Sequence, residues 1–83
     1  MIGYLQGKVT YIASDFCFID VHGVGYRVFI STNTRAKLKM NEEIKLFTYL
    51  SVREDAMLLY GFINQLEYDV FCKLISVSKI GPK

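Results

Sequence analysis

Three charged residues stand together between two apolar runs in the middle of the chain. They are Arg53, Glu54 and Asp55, within the segment SVREDAMLLYGF. Two carboxylates could act as a general acid and base, or as ligands of a divalent metal ion in a nuclease. Adjacent residues of an extended chain point to opposite faces, however, and no further Asp, Glu or His is clustered nearby to complete such a site. The simplest interpretation is a solvated turn at the tip of a hairpin, and a nuclease is an alternative that predicts magnesium-dependent cleavage.

The other potentially reactive side chains are few and scattered. His22, the only histidine, precedes Gly23 and fits a turn better than a catalytic site. Cys17 and Cys72 lie in separate apolar runs, too far apart for a CxxC motif, so we expect both to be buried free thiols. No Ser or Cys is suitably placed with His22 and a carboxylate, and no glycine-rich phosphate loop is present. We therefore expect no catalytic residue, no metal and no cofactor.

The segment SKIGPK at the end of the chain suggests a different chemistry. Pro82, the only proline, suits the first turn of a helix and follows Gly81 directly. A tight turn that leads into a helix presents unpaired backbone N–H groups, which bind phosphate. Gly81 would allow a DNA backbone to approach closely, and Lys79 and Lys83 would add positive charge. A simple connecting turn is the alternative, and the pattern by itself does not choose between them.

Length and composition restrict the class of protein. The chain has 83 residues, enough for one domain or for one domain and the start of another. Its hydrophobic fraction of 52% predicts a folded chain, and a net charge of +2 permits nucleic-acid binding without requiring it. We find neither a signal peptide nor about 18 consecutive apolar residues, and so expect a soluble, cytosolic protein.

The hydrophobic pattern predicts five strands followed by one helix. Alternation and β-rich runs place the strands at residues 2–12, 16–21, 24–30, 44–52 and 56–62. His22-Gly23 is a two-residue hairpin link, and residues 31–43 fit a loop with a short helical turn. Gly3 and Gly7 suggest bulges or a bend in the first strand.

A helix is predicted at about residues 65–76. Asn64 followed by Glu67 is a capping box, and the apolar residues fall on one helical face: Leu66, Val70, Phe71, Leu74 and Ile75. This element order predicts a mainly β fold, a five-stranded OB-fold barrel followed by an α-helix, although other small five-stranded barrels fit the same pattern. Most of the aromatic residues are expected to fill the core, and some could stack on unpaired bases.

Four segments together carry a resemblance to a known family. MIGYLQGKV, VHGVGYRV, VREDAMLLYGF and LISVSKIGPK resemble, in order and spacing, the N-terminal portion of the RuvA family, the Holliday-junction-binding subunit of the bacterial branch-migration complex. The resemblance covers essentially the whole chain. It implies that residues 1–62 are the OB-fold domain I, which forms tetramers and carries an acidic pin. It also implies that residues 63–83 begin domain II, with the first helix and hairpin of an incomplete helix-hairpin-helix domain.

The resemblance assigns roles to individual residues. Glu54 and Asp55 match the acidic pin, and the residues that match DNA contacts are Arg53, Lys79, Ile80, Gly81 and Lys83. Arg53 could contact a phosphate or pair with a neighbouring carboxylate. The family often has Gly at the position of Lys79, and Lys tolerates a positive φ less readily than Gly. This departure predicts either a turn that accepts Lys79 or an altered hairpin.

The resemblance also implies a function. The protein would be a non-catalytic subunit that binds four-way junction DNA as a homotetramer and holds the junction open for branch migration in recombination and repair. Its implied protein partners are the ATPase RuvB, through a C-terminal domain outside these 83 residues, and the resolvase RuvC. The alternative is a generic OB-fold module that binds single-stranded nucleic acid through exposed aromatic residues.

Overall fold

A computed structural model describes residues 3–80, with the backbone alone described for residues 77–80. Its elements follow the predicted order closely: β1 (Tyr4–Ile12), β2 (Phe16–Val21), β3 (Val24–Phe29), α1 (Thr32–Lys37), β4 (Glu43–Val52), β5 (Met57–Phe62) and α2 (Gln65–Ile80). Within this described part, no helix is long and apolar enough to cross a membrane.

The five strands close into a barrel in the order β1-β2-β3-β5-β4. β1 pairs antiparallel with β4 along its first half and with β2 along its second half. A short parallel pairing between β3 and β5, at Phe29 and Tyr60, completes the closure. The predicted mainly β barrel followed by a helix is therefore confirmed.

Local sequence explains the two connections that shape the barrel. His22 and Gly23 have φ angles of 52° and 91°, the left-handed conformations that a tight two-residue hairpin requires. The backbone N–H of Gly23 also donates to Asp20 Oδ1 at 2.8 Å. Ser31 caps α1, because its side chain accepts from the N–H of Thr34 at 3.1 Å.

Gly7 lies next to the position at which the pairing of β1 changes from β4 to β2. A Cβ atom at this position would collide with the backbone carbonyl of Asp20 on β2, so the close approach requires glycine. The irregularity in β1 lies further along, between Val9 and Tyr11, rather than at the predicted Gly3 or Gly7.

The barrel interior is filled mainly by aliphatic side chains. The buried hydrophobic residues are Leu5, Val9, Cys17, Ile19, Val28, Ile30, Leu38, Leu46 and Leu59. No Phe or Tyr is among them, so the prediction that most aromatic residues fill the core is wrong. The aromatic residues occupy mainly outward positions on the strands, where they alternate with buried residues.

Candidate nucleic-acid interface

The acidic residues lie at the tip of the β4–β5 hairpin. These strands pair antiparallel in a continuous register that ends with Val52 opposite Met57. The N–H of Arg53 donates to the carbonyl of Ala56 at 2.8 Å and closes a four-residue turn. Glu54 and Asp55 occupy the two central positions of this turn. The predicted hairpin tip is therefore confirmed.

All three charged residues of the tip are exposed. Arg53, Glu54 and Asp55 are each exposed to solvent, whereas Leu59, further down β5, is buried. The two carboxylates are thus free to face a large external partner. Among residues 3–80, no three His, Cys, Asp or Glu side chains gather closely enough to hold a metal ion.

Two apolar side chains lie directly below the acidic turn, and sequence analysis did not single them out. Val52 is 66% exposed and its cross-strand partner Met57 is 68% exposed. Side chains at alternate positions share one face of a strand, so Val52 continues the row formed by Thr48 and Leu50. Thr48 is fully buried and Leu50 is half-buried. This row therefore runs from the barrel interior to exposed apolar residues below the tip, a feature that the alternation of β4 and β5 could have indicated.

The second predicted group of DNA contacts lies at the end of the chain. α2 continues to Ile80, four residues beyond its predicted end, so the backbone of Lys79 and Ile80 is helical rather than part of a hairpin turn. The first strong helix-breaking residues after the start of α2 are Gly81 and Pro82, which explains the longer helix. Helical backbone has negative φ, so Lys79 does not require the glycine-like conformation considered above. Gly81 and Lys83 lie outside the described residues.

An aromatic cluster attaches the first half of α2 to the barrel. Phe71 contacts the rings of Tyr49, Tyr60 and Phe62, with its centroid 4.8 Å from that of Phe62. Tyr68 contacts Phe62 and the neighbouring ring of β4. These contacts set the direction in which the helix, and hence Lys79, leaves the barrel.

Polar contacts begin the same helix. The side chain of Asn64 accepts from the N–H of Glu67 at 2.9 Å, which confirms the N-cap half of the predicted capping box. The reciprocal half is wrong, because the Glu67 carboxylate does not accept from the N–H of Asn64. Glu67 Oε2 accepts from Asn33 Nδ2 of α1 at 3.3 Å, while Glu67 Oε1 is buried without a hydrogen-bond partner. The carboxylate of Glu67 therefore ties α2 to α1.

One face of α2 does not contact the barrel. Leu66, Val70 and Leu74, at intervals of four residues, are 73%, 50% and 62% exposed. We call these three residues the α2 stripe. Sequence analysis placed these residues on one helical face with Phe71, but the aromatic rings of the barrel contact Phe71 and leave the stripe exposed.

Aromatic side chains also cover the outer face of β1, β2 and β3. Tyr11, Phe16 and Phe18 form mutual ring contacts with centroids 5.3 to 6.0 Å apart. The guanidinium of Arg27 lies 5.1 Å from the centroid of the Phe16 ring. Only Tyr11 among the three rings is largely exposed, so this face offers limited ring surface for base stacking.

A family model and individual relatives both match this chain. The model described as RuvA N terminal domain matches residues 1–61, which comprise almost the whole barrel. Relatives in Acetivibrio thermocellus and Symbiobacterium thermophilum are each 46% identical to it, and one in Trichlorobacter lovleyi is 48% identical. Each of the three is named "Holliday junction branch migration complex subunit RuvA".

The matched region differs in extent between this chain and its relatives. The alignments cover 100% of this chain but only 42%, 41% and 42% of these three relatives. The chain thus spans about two fifths of the length of the relatives it matches.

Proposed function

The chain belongs to the RuvA family, whose N-terminal domain model covers most of it, and we propose that it recognises four-way Holliday junctions. In this proposal it holds the junction open for branch migration in recombination and DNA repair. Support comes from the name shared by the relatives and from the exposed acidic tip on a closed barrel. The relatives' name also favours this function over a generic single-strand-binding module.

The observation that carries the proposal is the exposure of Glu54 and Asp55 at the end of a projecting hairpin. In a homotetramer, two carboxylates from each of four copies would gather near one axis. One pair of unit charges about 6 Å apart in water interacts by only ~0.7 kcal/mol, but the sum over several phosphates reaches a few kcal/mol. Such a centre repels a continuous duplex laid across it, whereas an open junction directs its arms around it.

The end of α2 supplies the attractive contacts in this proposal. Lys79, Ile80, Gly81 and Lys83 bind the phosphate backbone of a junction arm without reading its sequence. Arg53 adds a positive charge beside the acidic pair, where it either contacts a phosphate or pairs with a neighbouring carboxylate. Repulsion at the tip and attraction at the end of the helix together favour DNA that diverges from a central point.

The remaining roles concern the assembly. Residues 1–62 form domain I, which carries the pin and the tetramer contacts, and residues 63–83 begin domain II with α2. The chain itself performs no catalysis. The ATPase RuvB, bound through a further domain, drives branch migration, and RuvC resolves the junction. The complex acts in the cytoplasm.

The α2 stripe supports the assignment of a second domain. Three large apolar side chains at helical spacing are 50% to 73% exposed in residues 3–80, and an amphipathic helix normally buries such a row. In the proposal, further helices of domain II cover the stripe.

The experiment compares junction and duplex binding. It uses the 83-residue chain and a chimera in which that chain is followed by the remaining part of the Acetivibrio thermocellus relative. Glu54→Gln with Asp55→Asn, in the chimera, is expected to raise affinity for linear duplex relative to junction by at least about ten-fold, since each ~1.4 kcal/mol of repulsion removed changes the ratio ten-fold. Gel-shift titrations at fixed salt measure the ratio.

The matched control changes two acidic residues at the opposite end of β4. Glu42→Gln with Glu43→Gln removes the same charge where β4 begins, 12 residues before Glu54 and Asp55, and is expected to leave the ratio unchanged. An equal ratio for the tip variant, the control and the unmodified chimera would contradict the pin assignment. The 83-residue chain is expected to bind junctions weakly, because it has fewer phosphate contacts.

A further inference from the structure

Two aromatic rings of α2 contact successive outward-facing pairs of the β4–β5 hairpin. These pairs are, from the barrel towards the acidic turn, Phe47–Phe62 and Tyr49–Tyr60. Tyr68 contacts both rings of the first pair. Phe71, almost one turn later, contacts both rings of the second pair as well as Phe62. The helix therefore runs along the hairpin towards its turn.

The same side of the hairpin is shielded beyond these rings. Ile75, about one turn further along α2, is half-buried, and so are Ser51 and Leu58, the next outward-facing pair towards the turn. Val52 and Met57, on the other face of the hairpin, are exposed. The shielded face is therefore the one along which α2 runs.

The helix and the hairpin end at the same height. Ile80 follows Phe71 by nine residues of helix, a rise of about 14 Å. Arg53 follows Tyr49 by four extended residues, a rise of about 13 Å. The end of α2, where the proposed phosphate contacts lie, is therefore level with the acidic turn.

We infer that Phe71 is a positioning residue: it holds the phosphate-binding end of α2 level with Glu54 and Asp55, and junction selectivity depends on that alignment. The inference rests on the proposed function, which assigns attraction to the helix end and repulsion to the turn. The contact between Glu67 and Asn33 of α1 holds the start of the helix, and the Phe71 ring fixes its direction.

Small changes in that direction matter at the far end of the helix. Over the distance from Phe71 to Ile80, a tilt of about 10° displaces the helix end by about 2 Å. Hydrogen bonds to phosphate oxygens tolerate a displacement of only about 0.5 Å. A junction must meet the acidic turns and helix ends of several copies at once, whereas a duplex can bind a single helix end. Misalignment therefore weakens junction binding more than duplex binding.

The first test removes the ring. Phe71→Ala, in the chimera, is expected to lower the preference for junction over duplex about ten-fold, the loss expected when one contact per binding site is misplaced. Phe71→Tyr, which keeps a ring at the same place, should restore the preference. The matched control is Phe16→Ala, which removes a ring that contacts Tyr11 and Phe18 elsewhere on the barrel and should leave the preference unchanged.

A double-mutant cycle distinguishes positioning from a general structural effect. If Phe71 acts through the helix end, its loss matters little once Lys79 no longer contacts phosphate. In a Lys79→Ala chimera, Phe71→Ala should therefore lower the junction preference by no more than about two-fold further. A full ten-fold further loss would contradict the inference.

A distance measurement observes the alignment directly. Nitroxide labels are attached at Met57→Cys and Ser76→Cys in a chimera whose other exposed cysteines are changed to Ser, and the labelled protein is diluted into unlabelled chimera. Pulsed electron paramagnetic resonance should give one narrow distance distribution for the unmodified chain. The distribution should broaden or shift in Phe71→Ala but not in Phe16→Ala.

The outcomes separate this inference from the proposed function. If the unmodified chimera shows no preference for junctions, both are wrong. If it prefers junctions and Phe71→Ala keeps either that preference or the narrow distance distribution, the inference is wrong and the proposed function stands. If Phe71→Ala does not unfold cooperatively, Phe71→Leu, which keeps an apolar side chain but no ring, replaces it in every measurement with the same expectations.

Discussion

At the scale of single residues, the environment of each side chain decides its chemistry more than its type does. Glu54 and Asp55 are ordinary exposed acids whose proposed role comes from their place at the tip of a hairpin. The two cysteines were both expected to be buried, but only Cys17 is, and Cys72 is half-buried on α2. Burial raises the pKa of the Cys17 thiol to about 11, from its ordinary value of 9.0.

The raised pKa of Cys17 predicts a low thiol reactivity. At about pH 8, the Cys72→Ser variant should react with a disulfide reagent slowly while folded and rapidly once unfolded in urea, because the thiolate is the reacting species. The Cys17→Ala variant, which retains Cys72, serves as the comparison and should react faster while folded. Equal rates for the two folded variants would contradict this prediction.

The same shift gives a pH dependence. The folded state holds the Cys17 proton more tightly than the unfolded state, so the free energy of unfolding should fall as pH rises from about 9 towards 11. Urea titrations across this range measure the effect, and the slope should be smaller in Cys17→Ala.

At the scale of elements, a local sequence signal determines where α2 begins, and long-range contacts determine which of its faces packs on the barrel. Asn64 starts the helix through its bond to the N–H of Glu67, and Phe71 attaches the helix to the barrel. The N-cap is local, so sequence predicted it correctly, whereas the Glu67 carboxylate contacts Asn33 of α1 instead of completing the capping box. Local sequence does not determine which face of the helix packs on the barrel, because that depends on which rings of β4 and β5 lie beneath the helix.

Loss of the cap should destabilise this element by a modest amount. Asn64→Ala is expected to lower the free energy of unfolding by about 1 kcal/mol, since it leaves the N–H of Glu67 without its partner. Asn64→Asp, which keeps an acceptor at the same place, is the matched control and should change stability much less. The measurement is urea denaturation followed by circular dichroism, and similar losses in the two variants would show that the cap is not the cause.

At the scale of the whole molecule, the α2 stripe tests the proposal that further helices pack on this chain. The closed barrel buries its own apolar residues, but Leu66, Val70 and Leu74 stay exposed within residues 3–80. If further helices cover the stripe, the same substitutions must have different effects in chains of different length.

We expect that contrast when all three stripe residues are changed to Gln. In the 83-residue chain the free energy of unfolding should change by no more than about 0.5 kcal/mol per site, as is usual at exposed positions. In the chimera each site should cost about 2 kcal/mol or more, because a buried apolar side chain is replaced by a polar one. Lys73→Gln, at an exposed position of the same helix, is the control. An equal effect in both chains would argue against a domain that covers the stripe.

The sequence by itself determined the number, order and approximate limits of the strands, the hairpin tip and the start of α2. These features depend on alternation, turn residues and caps, which act over a few neighbouring positions. It also carried the resemblance that the family match later confirmed.

Only the tertiary structure decided which side chains are buried. The outward position of the aromatic rings, the exposure of Val52 and Met57 and the free face of α2 all follow from how the barrel closes. Closure depends on pairings between distant segments, β1 with β4 and β3 with β5. Periodicity shows that two faces of a strand or helix differ, but burial depends on what the rest of the chain brings against each face.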